Sequence, residues 1–197
     1  MAQVDLYQVH FPLPPLSVET WADGLADAVH GKLARAVGVS NYSVEQMRKA
    51  HAVLAKRGVP LATNQVEYSL IERKPERTGL IDAARELGVT IIAYSPLGKG
   101  MLTGKYNAQN PPPGARGRLY RGDRLAKIEP INAALKEIGA AHGGKTPAQV
   151  ALNWLICKGA VPIPGAKNAR QAEQNAGALG WRLTDEEVMR LDEIGKL

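Results

Sequence analysis

A single cysteine, Cys157, in 197 residues excludes an internal disulfide and a cysteine-built metal cluster. Its neighbours Leu152, Trp154, Leu155 and Ile156 are apolar, so a buried structural thiol in a reducing compartment is expected. Long hydrophobic runs are also missing. No apolar stretch approaches the ~18 residues of a membrane span, and Met1-Ala2-Gln3-Val4-Asp5 has neither the basic start nor the apolar run of a signal peptide. These absences predict a soluble protein with no membrane partner. Hydrophobic residues at 45% and charged residues at 22% exclude a disordered or fibrous chain, and the length favours one domain over two.

Acidic residues are scarce in one place. The formal net charge is +6, and between Lys99 and Lys127 the cations Lys99, Lys105, Arg116, Arg118, Arg121, Arg124 and Lys127 face Asp123 alone. The C-terminal stretch is acidic instead, with Asp185, Glu186, Glu187, Asp192 and Glu193. One basic segment suits a held anion, whereas a nucleic-acid face recruits several elements, so no nucleic-acid partner is expected. Pro111-Pro112-Pro113-Gly114 and Gly117 predict a loop there, with Arg116 to Lys127 as a mobile lid.

Short β-branched or apolar runs recur at Val4 to Val9, Leu33 to Val39, Leu61 to Val66, Val89 to Tyr94 and Ala160 to Ile163, each reading as a buried strand. Capping-box starts at Ser43-Val44-Glu45-Gln46, Thr146-Pro147-Ala148-Gln149 and Thr184-Asp185-Glu186-Glu187 mark helices between and after them. The first four strand starts lie about 30 residues apart, the size of a βα unit, and an insertion from Pro96 to about Asp123 stretches the last interval. Such alternation gives parallel strands in an open doubly wound sheet or a barrel. The first strand is not followed by G-x-G-x-x-G, and the chemically suggestive residues His10, Ser40, Asn41, Gln65, Tyr94 and Ser95 stand at successive strand ends, the barrel's address for a site. The expected class is therefore α/β, an incomplete (β/α)8 TIM barrel of about five parallel strands with flanking helices. A full barrel has eight strands and ~250 residues, which leaves about three βα units expected on the N-terminal side and open barrel edges through which self-association is possible.

Five strings carry a resemblance: Asp5-Leu6-Tyr7-Gln8-Val9-His10, Gly38-Val39-Ser40-Asn41-Tyr42, Asn64-Gln65-Val66-Glu67-Tyr68-Ser69, Tyr94-Ser95-Pro96-Leu97 and Ile163-Pro164-Gly165-Ala166-Lys167 with Gln171 and Asn175. In this order they resemble the aldo-keto reductases, NADP-dependent (β/α) barrel enzymes, over Val4 to about Leu191. Pro96 to Lys105 and Gly165 to Ala169 look most like plant and algal plastid members. On its own a strand-end histidine reads as a hydrogen-bonded structural residue. The resemblance implies instead that His10 orients the carbonyl of a small-molecule substrate as the catalytic residue present. Ser40-Asn41 alone read as a turn into a helix and Gln65 as a strand end; by resemblance they bind the nicotinamide carboxamide, with Tyr94 stacking on the ring. Ser95, Leu97 and the Gly98-Lys99-Gly100 turn offer N–H groups and a cation to a diphosphate. Gly165 permits close approach, Lys167 suits the 2′-phosphate of NADP(H), and Gln171 and Asn175 lie near the adenine. Gln174 stands where the family commonly has glutamate.

The resemblance also implies that the family's proton-donating tyrosine, its lysine and its aspartate lie on strands before the one bearing His10, so the catalytic set is incomplete here. Tyr7 is expected to face outward, and Tyr42 and Tyr68 lie past strand ends. The expected activity is hydride transfer from NADPH to an aldehyde or ketone. The alternative is a catalytically incomplete NADP-binding or regulatory module resembling the potassium-channel β subunits. No metal site is expected. The expected location is the cytoplasm, or a plastid if a transit peptide lies upstream.

Overall fold

The computed structural model describes residues 3–107, 109–120 and 123–196. Five strands, β1 (Val4–Val9), β2 (Ala34–Ser40), β3 (Leu61–Glu67), β4 (Thr90–Tyr94) and β5 (Val161–Pro162), form a sheet in the order β1-β2-β3-β4-β5. The β1–β2 and β2–β3 pairs are parallel. The chain forms two compact units: residues 1–67 with 74–92, and residues 68–73 with 93–197. The boundary divides β4.

In the first unit, α1 (Val18–His30), α2 (Val44–Lys56), α3 (Lys74–Arg77) and α4 (Leu80–Glu86) accompany the strands. Ser43 caps α2 as the sequence predicts: its hydroxyl accepts from the Gln46 N–H, and the Gln46 side chain accepts from the Ser43 N–H. Leu25, Ala26, Val37, Val39, Met47, Ala50 and Leu54 are buried between helices and sheet. The register pairs Gln8 with Gly38 and Gly38 with Thr63, while Ser40 pairs with Gln65. A shift between Val37 and Gly38 makes this possible, because Val37 pairs with Leu61 and Ala62 is passed over.

The expectation that β1 is a buried strand is corrected. Val4, Leu6 and Tyr7 are exposed, because β1 stands at the end of the sheet and pairs only with β2 among the described residues. Leu33 is exposed too and precedes β2, although its carbonyl accepts from the Val4 N–H at 2.9 Å. Tyr7 faces outward as expected.

In the second unit, α5 (Gly114–Leu119), α6 (Asp123–Ala141), α7 (Pro147–Cys157), α8 (Ala169–Ala176) and α9 (Asp185–Ile194) follow β4. Thr146 and Thr184 cap α7 and α9 with complete capping boxes. The segment expected to be a lid loop is largely helical, lying in α5 and the start of α6; Arg121 lies outside the described residues. Apolar spacing explains α6: Leu125, Ile128, Ile131, Leu135 and Ile138 are all buried, the i, i+3, i+4 pattern of one helical face. Cys157 is half-buried, not enclosed, and its thiol lies 3.4 Å from the Asn153 side-chain oxygen. No helix among the described residues is long and apolar enough to cross a membrane.

Asp192 ties the second unit together. It accepts from Arg73 Nη2 at 3.1 Å, Lys158 Nζ at 2.9 Å and Trp154 Nε1 at 3.0 Å, while Arg73 Nη1 reaches the Asp192 carbonyl at 3.1 Å. Arg73 also lies 5.0 Å from the centre of the Trp154 ring. A buried guanidinium needs its carboxylate. Asp192→Ala is therefore expected to lower the free energy of unfolding by about 3 kcal/mol in urea titration, and Asp192→Asn by less, since the amide oxygen still accepts from Trp154. Equal losses would show that the charge carries the whole effect and the retained hydrogen bond contributes nothing.

Candidate functional site

At the C-terminal ends of β1, β2 and β3, backbone and side chains knit a polar cluster. Asn41 adopts a left-handed conformation (φ 62°), which turns its side chain back so that Nδ2 donates to the His10 carbonyl at 3.2 Å and to Ser40 Oγ at 3.0 Å. The buried Ser40 hydroxyl donates to the Gln65 carbonyl at 2.9 Å, and the Asn41 N–H reaches the same oxygen at 2.8 Å. One carbonyl thus holds two neighbouring site residues. Gln65 Nε2 donates to Gln8 Oε1 at 2.9 Å. The sequence places Ser40, Asn41, Gln65 and His10 near one another, and the structure brings them together. The His10 ring is exposed and stacks on Phe11 at 4.7 Å between centroids.

The tyrosines beyond these strand ends are no proton donors to an open site. Tyr42 is buried, its hydroxyl has no partner, and burial pushes its phenol above the usual range. Tyr68 is fully buried against Trp154, with ring centroids 5.5 Å apart.

The second unit contains a groove of about 730 Å³. Ser95, Leu97, Lys99, Gly165, Lys167, Gln171 and Asn175, seven of the residues singled out in the sequence, line it together. Tyr94 lies half-buried immediately before them, and its carbonyl accepts from the Tyr68 N–H at 3.3 Å. Thr103, Lys105, Tyr106, Thr146 and Gln174 complete much of the wall. Thr103, Tyr106 and Thr146 were missed as site residues, because they come from a turn and a helix cap whose local sequence signals only structure. The lining holds Lys99, Lys105 and Lys167 and no carboxylate, so it favours anions.

The turn from Ser95 to Gly104 is built on unusual backbone. Ser95 (φ 50°), Gly98 (φ 56°), Lys99 (φ 57°) and Gly100 (φ 96°) are all left-handed. Non-glycine residues rarely adopt that region. Asn41, Ser95 and Lys99, three of the four that do among the described residues, are among the residues singled out in the sequence. The expectation that this turn offers its N–H groups to a diphosphate is narrowed: the Gly98 N–H bonds the Ser95 carbonyl at 2.9 Å and the Gly100 N–H bonds the Leu97 carbonyl at 3.0 Å. These two N–H groups are bonded within the turn itself.

Across the groove, Asn168 caps α8 through its side-chain oxygen, 3.0 Å from the Gln171 N–H. The Gln171 side chain accepts from the Lys167 N–H at 2.8 Å, and Asn175 Nδ2 donates to the Gly165 carbonyl at 3.4 Å. Both side chains expected near an adenine thus also pin the loop that carries Lys167. A Cβ built on Gly165 would meet nothing within 4 Å. Gly165 is therefore not needed for packing within the protein, and the space beside it is available to a ligand. This cationic, carboxylate-free groove with open space at Gly165 fits the phosphates of a dinucleotide such as NADP(H).

The sequence matches the Aldo/keto reductase family over residues 1–196. The chain belongs to the aldo/keto reductases. It is 46% identical over 197 residues to the chloroplastic pyridoxal reductase of Arabidopsis thaliana, covering 98% of this chain and 53% of that one. It is 36% identical to an aldo-keto reductase of Strobilurus tenacellus, covering 98% of this chain and 58% of the other. A glycerol dehydrogenase of Gluconobacter oxydans superposes with a TM-score of 0.88 at 29% identity, over 98% of this chain and 59% of that chain. The chain spans about half the length of the curated relatives it matches. Its five-stranded sheet with flanking helices is accordingly part of the (β/α)8 barrel that this oxidoreductase family shares.

Gly98 supports the groove wall in two ways, through its positive φ and because a Cβ there would stand 2.4 Å from Ile71 Cδ1. Gly98→Ala is expected to lower stability by roughly 1–3 kcal/mol, read as a fall in the denaturation midpoint. Adding Ile71→Val, which removes the clashing methyl, should recover part of that loss. No recovery would show that φ alone decides.

Proposed function

We propose that the chain carries the cofactor-binding and carbonyl-orienting part of an NADPH-dependent reductase acting on a small aldehyde or ketone. The observation that carries this reading is the groove lined by Lys105 and Lys167, with Lys99 in its wall, no carboxylate among its described lining residues, and open space at Gly165. When bound, NADPH supplies the two-electron reduction of a carbonyl to an alcohol. Lys167, beside the start of α8, holds a phosphate monoester by charge-assisted hydrogen bonding, and α8 adds its favourable N-terminal field. Gln171 and Asn175 fix the loop and border the adenine. Ser40, Asn41 and Gln65 are neutral hydrogen-bonding groups suited to a carboxamide, which has a donor side and an acceptor side. The exposed His10 imidazole, whose nitrogens bond no described residue, orients the substrate oxygen.

On this reading the catalytic set is incomplete: among the described residues of the first unit, Tyr42 is buried and Tyr7 is exposed on the edge strand β1. The alternative, an NADP-responsive binding or regulatory module, rests on the same observation. One family match runs through both compact units, which supports a single aldo-keto reductase domain. The exposed apolar side chains of β1 favour self-association through that edge, which light scattering over a concentration series would detect. The chloroplastic relative supports a plastid over the default cytoplasm, and its name makes pyridoxal the first aldehyde to try.

Lys167→Ala is expected to weaken NADP binding by ~1–3 kcal/mol, the range for a hydrogen bond to a charged group, and to leave NAD nearly unchanged in a nicotinamide fluorescence titration. Equal losses for both cofactors would sink the assignment of Lys167. Aldehyde-dependent NADPH oxidation separates the two readings of the whole protein. The 197 residues alone are expected to bind NADPH without turnover above background, and robust turnover would show that a residue described here replaces the family's proton donor.

A further inference from the structure

A side-chain amide offers an acceptor and a donor at nearly the same place, so a glutamine recognises a carboxamide only if something decides which end it presents. Around Gln65 the decision can be traced to a group with no choice. The Val39 carbonyl can only accept, and Gln8 Nε2 lies 3.3 Å from it and 2.9 Å from Thr63 Oγ1. Gln8 must therefore turn its NH2 toward β2 and β3 and its Oε1 the other way. Gln65 meets that oxygen with Nε2, at 2.9 Å. Its own Oε1 is left accepting from no described residue, and it is not enclosed. Reversing either amide would set two oxygens or two NH2 groups against each other.

The sheet is built to admit this relay. Gln8, Gly38 and Thr63 stand in register on adjacent strands, and a Cβ at Gly38 would lie 2.0 Å from Thr63 Oγ1 and 3.2 Å from Gln8 Cγ. Only glycine at that position leaves room for the Gln8 amide and the Thr63 hydroxyl to meet across β2. Nothing in the local sequence of β1 marks Gln8 for this role, since its partners lie 31, 55 and 57 residues away.

We infer that Gln8 is a positioning residue that locks the Gln65 side chain with its oxygen outward, as an acceptor for the NH2 of a ligand carboxamide. The inference rests on the reading of this cluster as a nicotinamide site, and it specifies the direction of one hydrogen bond there. Gln8 touches no ligand itself.

The experiment compares NADP with its 3-acetylpyridine analogue, which lacks the carboxamide NH2, by calorimetric titration of the full chain and of Gln8→Met and Gln8→Glu. Gln8→Met keeps the length and removes the polarity. It is expected to weaken NADP about five- to tenfold, the worth of one oriented hydrogen bond, and to leave the analogue unchanged. Gln8→Glu keeps an oxygen facing Gln65 Nε2 but sets its other oxygen against the Val39 carbonyl, so it should restore part of the discrimination. In parallel, exchange of the Gln65 side-chain amide protons is followed by NMR without ligand. They should exchange slowly in the wild type and in Gln8→Glu, and freely in Gln8→Met. If the wild type binds NADP and the analogue equally, the carboxamide reading fails and the inference falls with it. If the wild type discriminates and Gln8→Met does too, the inference alone is overturned. Fast exchange of the Gln65 amide in the wild type overturns it even if Gln8→Met does not fold.

Discussion

Parallel pairing in register is the constraint on which the polar cluster depends. Strands that run the same way end on the same side, so Ser40 and Gln65 become neighbours although 25 residues separate them. The pairing must also be right to the residue, because a slip of one would send every side chain to the opposite face. The shift after Val37 performs that correction, passing over Ala62 so that Thr63 meets Gly38 and Gln65 meets Ser40. Without it, the Gln65 carbonyl could not collect both the Ser40 hydroxyl and the Asn41 N–H. Strain at Asn41 is tolerated because three hydrogen bonds hold it, two from its side chain and one from its backbone.

What could be read from the sequence was what local chemistry determines. Strand runs and capping boxes are short-range signals, and the three boxes at Ser43, Thr146 and Thr184 all close as their residue types dictate. The groove residues were legible by resemblance, since their motifs are contiguous strings. Exposure of β1 was not, because Val4 and Leu6 have the composition of a buried strand whatever lies beside them. Proline and glycine between Pro111 and Gly117 suggested a loop, yet α5 runs from Gly114 to Leu119. In the Gly98-Lys99-Gly100 turn the Gly98 and Gly100 N–H groups bond carbonyls of the turn itself, which the residue types alone do not signal. The Gln8 relay joins three strands and has no signature within any one of them.

Charge and neutrality divide the chemistry of the two units. The groove uses lysines, which suit a phosphate because an ammonium attracts an anion from any direction and tolerates a mobile partner. Gln174, where the family commonly has glutamate, adds no charge to the lining. The net charge of +6 is therefore informative only through its distribution, with the acidic α9 segment offsetting cations elsewhere in the sequence.

The cluster of the first unit avoids charge, and the reason is geometric. A carboxylate or an ammonium in the place of Gln65 would bind strongly but could offer only one kind of hydrogen bond, and its field would act on a nicotinamide ring whose own charge changes between the oxidised and reduced forms. Neutral amides and hydroxyls recognise shape and direction without favouring either form. Their weakness is ambiguity, since an unanchored amide can rotate to satisfy the wrong partner. A backbone carbonyl removes that ambiguity because it has a single role, and each amide bonded outward from it inherits a fixed direction. The direction of the Gln65 amide thus descends from the peptide backbone of β2 through Gln8.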